Sequence, residues 1–310
     1  MVNREKYREF CKKEDGISIF SKDWFLDSVC GKDNWDVALV EKGGSIIASM
    51  PYFRKKKAIF NIITMPKHTQ NMGVYIKYPD GQKYEKQLSF EKEVMTDLIE
   101  QLPTVDYFNQ TFHYSITNWL PFYWKGYTQT TNYTYVIEDL SDLDAVFKEF
   151  NHAKRKNIKK AEKFLTVKFD LPAKEFYENH KMTLEKQNST IAYDFEHFNR
   201  IYSSAYEHNA GRTIYAVDDD NNIHAALLVL WDKNSAYDLI STIDPDFRNS
   251  GAASLLVRDI IIFVADKTKK FDFEGSMIEN VEKSFRQFGA KQKAYFDITK
   301  VDSKILKHIV

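Results

Sequence analysis

Arg248-Asn249-Ser250-Gly251-Ala252-Ala253 is the stretch on which the reading of this chain turns. Before it, Ser235–Ile243 reads as a strand, turned out of the apolar run Ile223–Trp231 by Asp232-Lys233-Asn234. After it, Ala253, Leu256, Val257, Ile260, Phe263 and Val264 recur at the 3.6-residue period of a helix running from about Ala252 to Lys267. The six residues therefore leave a strand and open a helix. A helix N-terminus offers unpaired backbone N–H groups and about half a unit of positive charge. Small residues there let the main chain approach a diphosphate closely, and Arg248 adds charge-assisted hydrogen bonds. Taken alone, the pattern also fits an ordinary strand-to-helix loop with a glycine turn.

Working outward, Ile223–Trp231 is apolar on both faces and is expected at the centre of a sheet. Upstream of it lie a helical stretch in two pieces (Asp144–Lys163), a short strand (Val167–Phe169), helices from Pro172 to about Glu207, a strand at Thr213–Val217 and a turn at Asp218–Asn222. Downstream come a strand at Phe271-Asp272-Phe273, a helix at Glu279–Phe288 and a last strand at Lys293–Ile298. The first half has the same order. Helices at 3–14 and 21–30, the second capped by Ser21, precede strands at Asp36–Val40, Ser45–Tyr52, Ala58–Met65 and Val74–Lys77. A helix at Tyr84–Gln101 and strands at Asp106–Phe112 and Tyr133–Glu138 follow. The expectation is an α/β protein (α+β, mixed sheet) of two tandem units of similar topology. Their boundary falls between Asp139 and Phe147, giving 1–142 and 143–310.

Positive and negative residues balance at 44 each, so net charge argues for neither a general nucleic-acid footprint nor a membrane surface. The two cysteines, Cys11 and Cys30, read as reduced, partly buried thiols, and no His/Cys cluster has zinc-ligand spacing, so no metal is expected. The N-terminus is charged and lacks an apolar core segment, and no apolar run is long enough to span a bilayer. The cytoplasm is the expected compartment.

With its context, the 248–253 loop matches the pyrophosphate loop of GNAT acyltransferases, R/Q-x-x-G-x-G/A. Residues 147–300 further resemble the C-terminal domain of Fem-type (methicillin-resistance-type) proteins, which carry two GNAT-like domains. The resemblance rests on Arg155-Lys156-Asn157-Ile158-Lys159-Lys160-Ala161-Glu162-Lys163, Phe271-Asp272-Phe273-Glu274-Gly275-Ser276 and Phe285-Arg286-Gln287-Phe288-Gly289-Ala290. It extends loosely into the first half through Pro51-Tyr52 and Pro66-Lys67-His68-Thr69-Gln70. It implies transfer of an acyl or aminoacyl group to a small-molecule or peptide amine. Acyl-CoA would bind at Arg248, Asn249, Ser250, Gly251, Ala252 and Ala253, with the first unit shaping the acceptor side. The alternative donor is aminoacyl-tRNA, with a cell-wall precursor peptide as acceptor. The six Lys/Arg in 152–163 favour it, or form a solvated helix face; the lack of a long helical arm for tRNA opposes it.

Many GNAT enzymes carry a tyrosine acid where this chain has Phe285, which cannot donate a proton. That departure also admits a non-catalytic binding module. The remaining proton-transfer candidates are Glu274, at a strand end of the kind that opens onto ligand crevices, and Asp238. Ser276 is a candidate for hydrogen bonding to substrate or leaving thiol. Each has a plainer role open to it: a salt bridge or cap for Glu274, an edge pair for Asp238, a helix cap for Ser276. A splay between Ser235–Ile243 and Phe271–Phe273 is expected to expose backbone N–H groups to an acyl carbonyl. His224, within an apolar strand, reads as a satisfied core residue. The aromatic run Trp119–Trp124 with Tyr127 reads either as a pocket wall or as core.

Overall fold

A computed structural model describes residues 3–308. The chain forms two compact units: residues up to Asn132 together with those from Ala294 onward, and Tyr133–Lys293. In order come α1 (Asn3–Lys13), α2 (Asp23–Cys30), β1 (Trp35–Lys42), β2 (Ser45–Lys57), β3 (Phe60–Thr64), β4 (Tyr75–Ile76), α3 (Tyr84–Glu100), β5 (Tyr107–Thr111), α4 (Leu120–Trp124) and β6 (Thr128–Ile137). Then follow α5 (Leu143–Glu149), α6 (His152–Ala161), β7 (Thr166–Phe169), α7 (Ala173–Glu185), α8 (Phe195–Glu207), β8 (Gly211–Val217), β9 (Ile223–Trp231), β10 (Ala236–Ile243), α9 (Ala252–Val264), β11 (Phe271–Asp272), α10 (Glu279–Arg286) and β12 (Lys291–Val301).

In the first unit the strand order is β1-β2-β3-β5-β12, with β4 on β2. Helix α3 carries the chain between the parallel strands β3 and β5, and β12 closes the ladder antiparallel to β5. In the second unit the order is β6-β11-β10-β9-β8-β7. Helix α9 links the parallel strands β10 and β11, and β6 closes the ladder antiparallel to β11. Each unit thus has the same plan, an antiparallel meander followed by one helical crossover. The closing strands are exchanged along the chain: β6 precedes the helices of the second unit, and β12 follows them. This moves the division away from the expected 1–142 and 143–310. The break falls within β6, and the last strand returns to the first unit because its partner is β5.

The apolar patterns explain the elements. All of β9 after Ile223 is buried, as an interior strand requires. Helix α9 buries Leu255, Leu256, Val257, Ile260, Ile261 and Val264 in a core with Ile214, Leu227, Val229 and Phe271. On the other face of β9, Ala226 and Leu228 meet Phe176 and Phe198 of α7 and α8. In the first unit Val94 and Leu98 of α3 lie against Phe108, Phe112 and Phe122. Phe122 and Tyr127 belong to this core, whereas Leu120, Tyr123 and Trp124 face solvent, so the aromatic run is divided between the two.

Three local expectations change. Ser21 does not cap α2: it ends a 3-10 turn (Ile19–Ser21), and Lys22 stands at the cap without a side-chain hydrogen bond. Strand β6 begins at Thr128 rather than Tyr133. The β11 strand stops at Asp272, because Glu274 takes a left-handed conformation with φ +59°. The break between α5 and α6 falls where Asn151 accepts the Lys154 N–H at 2.9 Å. Asn151→Ala is expected to cost about 1 kcal/mol, seen calorimetrically as a Tm lower by about 2–4 °C.

Candidate active site

Strands β10 and β11 pair at two positions only, Ala236 with Phe271 and Tyr237 with Asp272. Beyond them β10 runs on to Ile243 while the other chain turns away at Glu274. Past that point the two stretches are unpaired, and this unpaired wedge lies where the sequence led one to expect a splay. Within β10 the register to β9 slips at Leu239: Asp238 faces Val229 and Ile240 faces Leu228. Such a bulge leaves one residue out of the ladder and bends the strand. Past it, Ser241 and Ile243 are exposed although Tyr237 is fully buried.

Acidic groups gather at the closed end of this wedge. Asp238 is 8 % exposed, and Ser241 Oγ lies 2.8 and 2.7 Å from its two oxygens. Burial pushes the Asp238 carboxyl up to about 6, against the lowering effect of Ser241. Asp272 is wholly buried, and its Oδ1 accepts from the Thr134 hydroxyl and, at 2.8 Å, from the Glu274 N–H. The Glu274 carboxyl is pushed well above the usual carboxylate range, first by burial and then by the charges of Asp272 and Asp238. Its Oε1 is shielded from solvent and has no hydrogen-bond partner. Gly275, at φ +71°, is required there: a Cβ would lie 2.3 Å from the Tyr133 carbonyl oxygen.

The other sequence candidates are divided. Ser276 is not drawn into this group; its Oγ accepts the Ile278 N–H at 3.0 Å, just before α10. Phe285 stacks on Phe273, with ring centroids 4.9 Å apart, and so is a packing residue at the position where many GNAT enzymes carry a tyrosine acid. His224 is a core residue: Nε2 meets Asp218 at 3.0 Å and the ring stacks on Phe247 at 3.9 Å.

The loop that precedes α9 is braced from several sides. Lys186 bonds Asp244 at 2.8 Å and Asp246 at 2.5 Å, and the Asp244 N–H bonds the His224 carbonyl. From this support Arg248 and Asn249 emerge exposed. Gly251 has φ +91°, and the Ser250 Oγ takes the Ala252 N–H at 3.2 Å. Among the described residues no backbone acceptor takes the N–H of Gly251 or Ala253. Helix α6 lies against one side: a Cβ on Gly251 would sit 2.4 Å from the Asn157 carbonyl, and Lys160 bonds the Asn249 carbonyl at 2.7 Å. The basic run on α6 is thus partly spent. Arg155 holds the carbonyls of Lys148 and Phe150, and Lys154, lowered by burial to about 8, sits on Ser284. Lys156, Lys159 and Lys163 stay exposed.

Asp272, Thr134 and Ser241 were not among the sequence candidates. A carboxylate between two buried phenylalanines was the available sign, since burying it uncompensated is costly.

A mixed sheet with a strand–loop–helix turn, its plan repeated along the chain, is the arrangement that the comparisons match. Residues 148–276 match the family model described as an acetyltransferase (GNAT) domain. Among solved structures the fold is similar to that of FemX, with a TM-score of 0.71 at 11% identity, covering 100% of this chain and 98% of that one. L-PGS from Bacillus licheniformis gives 0.56 at 10% identity, with 98% and 94% covered. A tandem GNAT protein from the clavulanic acid biosynthesis pathway gives 0.50 at 9% identity, with 86% and 82% covered. No curated protein matches the sequence. No described helix is long and apolar enough to cross a membrane.

Proposed function

We propose that this chain is an N-acyltransferase that moves an acyl group from acyl-CoA to an amine. The carrying observation is the wedge between β10 and β11, with a bulge at Leu239 on one side and the unpartnered Glu274 Oε1 at its closed end. The N–H groups of Gly251 and Ala253, with Arg248, would hold the donor's pyrophosphate. The wedge then takes the thioester, and the N–H freed by the bulge receives the acyl oxygen as it gains negative charge.

An amine reaches the site as an ammonium and must lose a proton before it attacks. Glu274 accepts that proton; burial and the charges of Asp272 and Asp238 raise its affinity for it. The nitrogen forms its bond to the acyl carbon and the carbon–sulfur bond breaks. The second proton of the amine goes to the departing sulfur, with Asp238 as relay. Orientation and carbonyl stabilisation supply much of the rate, so a tyrosine at position 285 is not required.

The test is release of free thiol from an acyl-CoA panel in the presence of an amine library, with titration calorimetry of coenzyme A. No heat and no turnover with any derivative would end this reading and leave the binding-module reading. Arg248→Glu is expected to weaken coenzyme A binding about tenfold or more, with Tm unchanged because the side chain is exposed. A second reading, with aminoacyl-tRNA as donor, draws support from Lys156, Lys159 and Lys163 on α6. Against it, no described helix is longer than the 17 residues of α3, so no long arm for tRNA is present among the described residues. Stabilisation by acyl-CoA or by charged tRNA distinguishes the two.

A further inference from the structure

We propose that Asp272 is a positioning residue for Glu274: one of its oxygens fixes the turn that carries Glu274, and its charge governs how readily the Glu274 carboxyl takes up a proton. The inference rests on the reading of Glu274 as proton acceptor. Asp272 stands between Phe271 and Phe273, and all three are buried. A carboxylate there must be compensated by hydrogen bonds. Its Oδ1 accepts from the Glu274 N–H at 2.8 Å and from the hydroxyl of Thr134 on the neighbouring strand β6.

That first bond holds a strained residue. Glu274 has φ +59°, a left-handed conformation that is strained for a residue with a Cβ. Gly275 continues the left-handed turn against the Tyr133 carbonyl, so the turn is held between Asp272 on one side and the β6 backbone on the other. Without the Asp272 acceptor, the Glu274 N–H loses its partner and the turn relaxes toward extended chain.

The second role is electrostatic. The charged groups acting on Glu274 are Asp272 from β11 and Asp238 from β10, while β6 presents the neutral Thr134 hydroxyl. Neither Glu274 nor Asp238 is in an ion pair among the described residues, and like charges in a shared, shielded site disfavour joint ionisation. Asp272 is the nearer of the two in sequence and is tied to Glu274 through its backbone.

Asp272→Asn separates the two roles. The amide keeps an oxygen for the Glu274 N–H and the Thr134 hydroxyl but removes the charge. With 13C-labelled glutamate, the Glu274 carboxyl resonance, assigned by its loss in Glu274→Gln, is expected to titrate about one unit lower in D272N. The acidic limb of the kcat/KM profile moves with it, and donor KM stays within twofold. Asp272→Ala, lacking the acceptor as well, is expected to lose at least tenfold in kcat beyond D272N. If the Glu274 midpoint is unmoved in folded D272N, the inference is overturned. If it moves while the rate profile does not, Asp272 acts as proposed and the reading of Glu274 as proton acceptor fails. Should D272N not accumulate, Asp272→Ser, smaller and uncharged with a hydroxyl near the same N–H, replaces it in the same titration, and a moved or unmoved midpoint carries the same meaning.

Discussion

Glu274→Gln lowers kcat by at least about a hundredfold, the scale of a lost general base, while the dissociation constant for coenzyme A changes less than twofold. The amide keeps the size of the side chain and its turn, since Asp272 holds the backbone N–H rather than the carboxyl. What is lost is the capacity to take a proton from the acceptor. The same variant has a stability signature of opposite sign. A carboxyl whose folded affinity for protons is raised favours the fold while neutral. That contribution is present below its unfolded pKa and is lost as pH rises through the folded value. Glutamine stays neutral throughout, so E274Q should melt above the parent at alkaline pH and show a flatter Tm profile. Undiminished turnover at saturating donor and acceptor would remove Glu274 from the mechanism.

Gly251→Val is the most damaging single change expected for the fold of the second unit, at about 3 kcal/mol or more, with coenzyme A binding lost in parallel. Two effects add. The residue sits at φ +91°, where a β-branched side chain is strained. A Cβ would also lie 2.4 Å from the carbonyl oxygen of Asn157, a backbone atom within helix α6 that cannot swing aside. Helix α6 must then move, carrying Lys160 off the Asn249 carbonyl. Denaturant unfolding and calorimetry of the same sample read both losses. A variant as stable as the parent would show that α6 yields without cost.

This contact marks the limit of what the sequence conveys. Residues 248–253 were readable as a loop opening a helix, because the apolar period of α9 and the buried run of β9 are local patterns. The reason for Gly251 lies with Asn157, far along the chain, and is as much helix packing as phosphate approach. The bulge at Leu239 carries no glycine or proline to announce it; it appears only when β9 and β10 are set side by side. Glu274 was legible as an acid at a strand end, but its left-handed backbone was not, since glutamate has no preference for that conformation. Asp272 reads in sequence as one residue of a strand, although a lone acid between two phenylalanines is a polar group in need of partners. The hydroxyl that makes Ser276 a candidate accepts the Ile278 N–H instead.

The exchanged closing strands set a timetable for synthesis. Asn109 of β5 hydrogen-bonds Asp297 of β12 across 188 positions of chain. At roughly 5–20 residues per second, a ribosome needs on the order of 10–40 s to deliver that partner. Until then Tyr107–Thr111 is a bare sheet edge, the kind of surface that nascent chains hide behind chaperones or lose to aggregation. A chain cut short before Asp297 would therefore leave β5 without the strand that covers it.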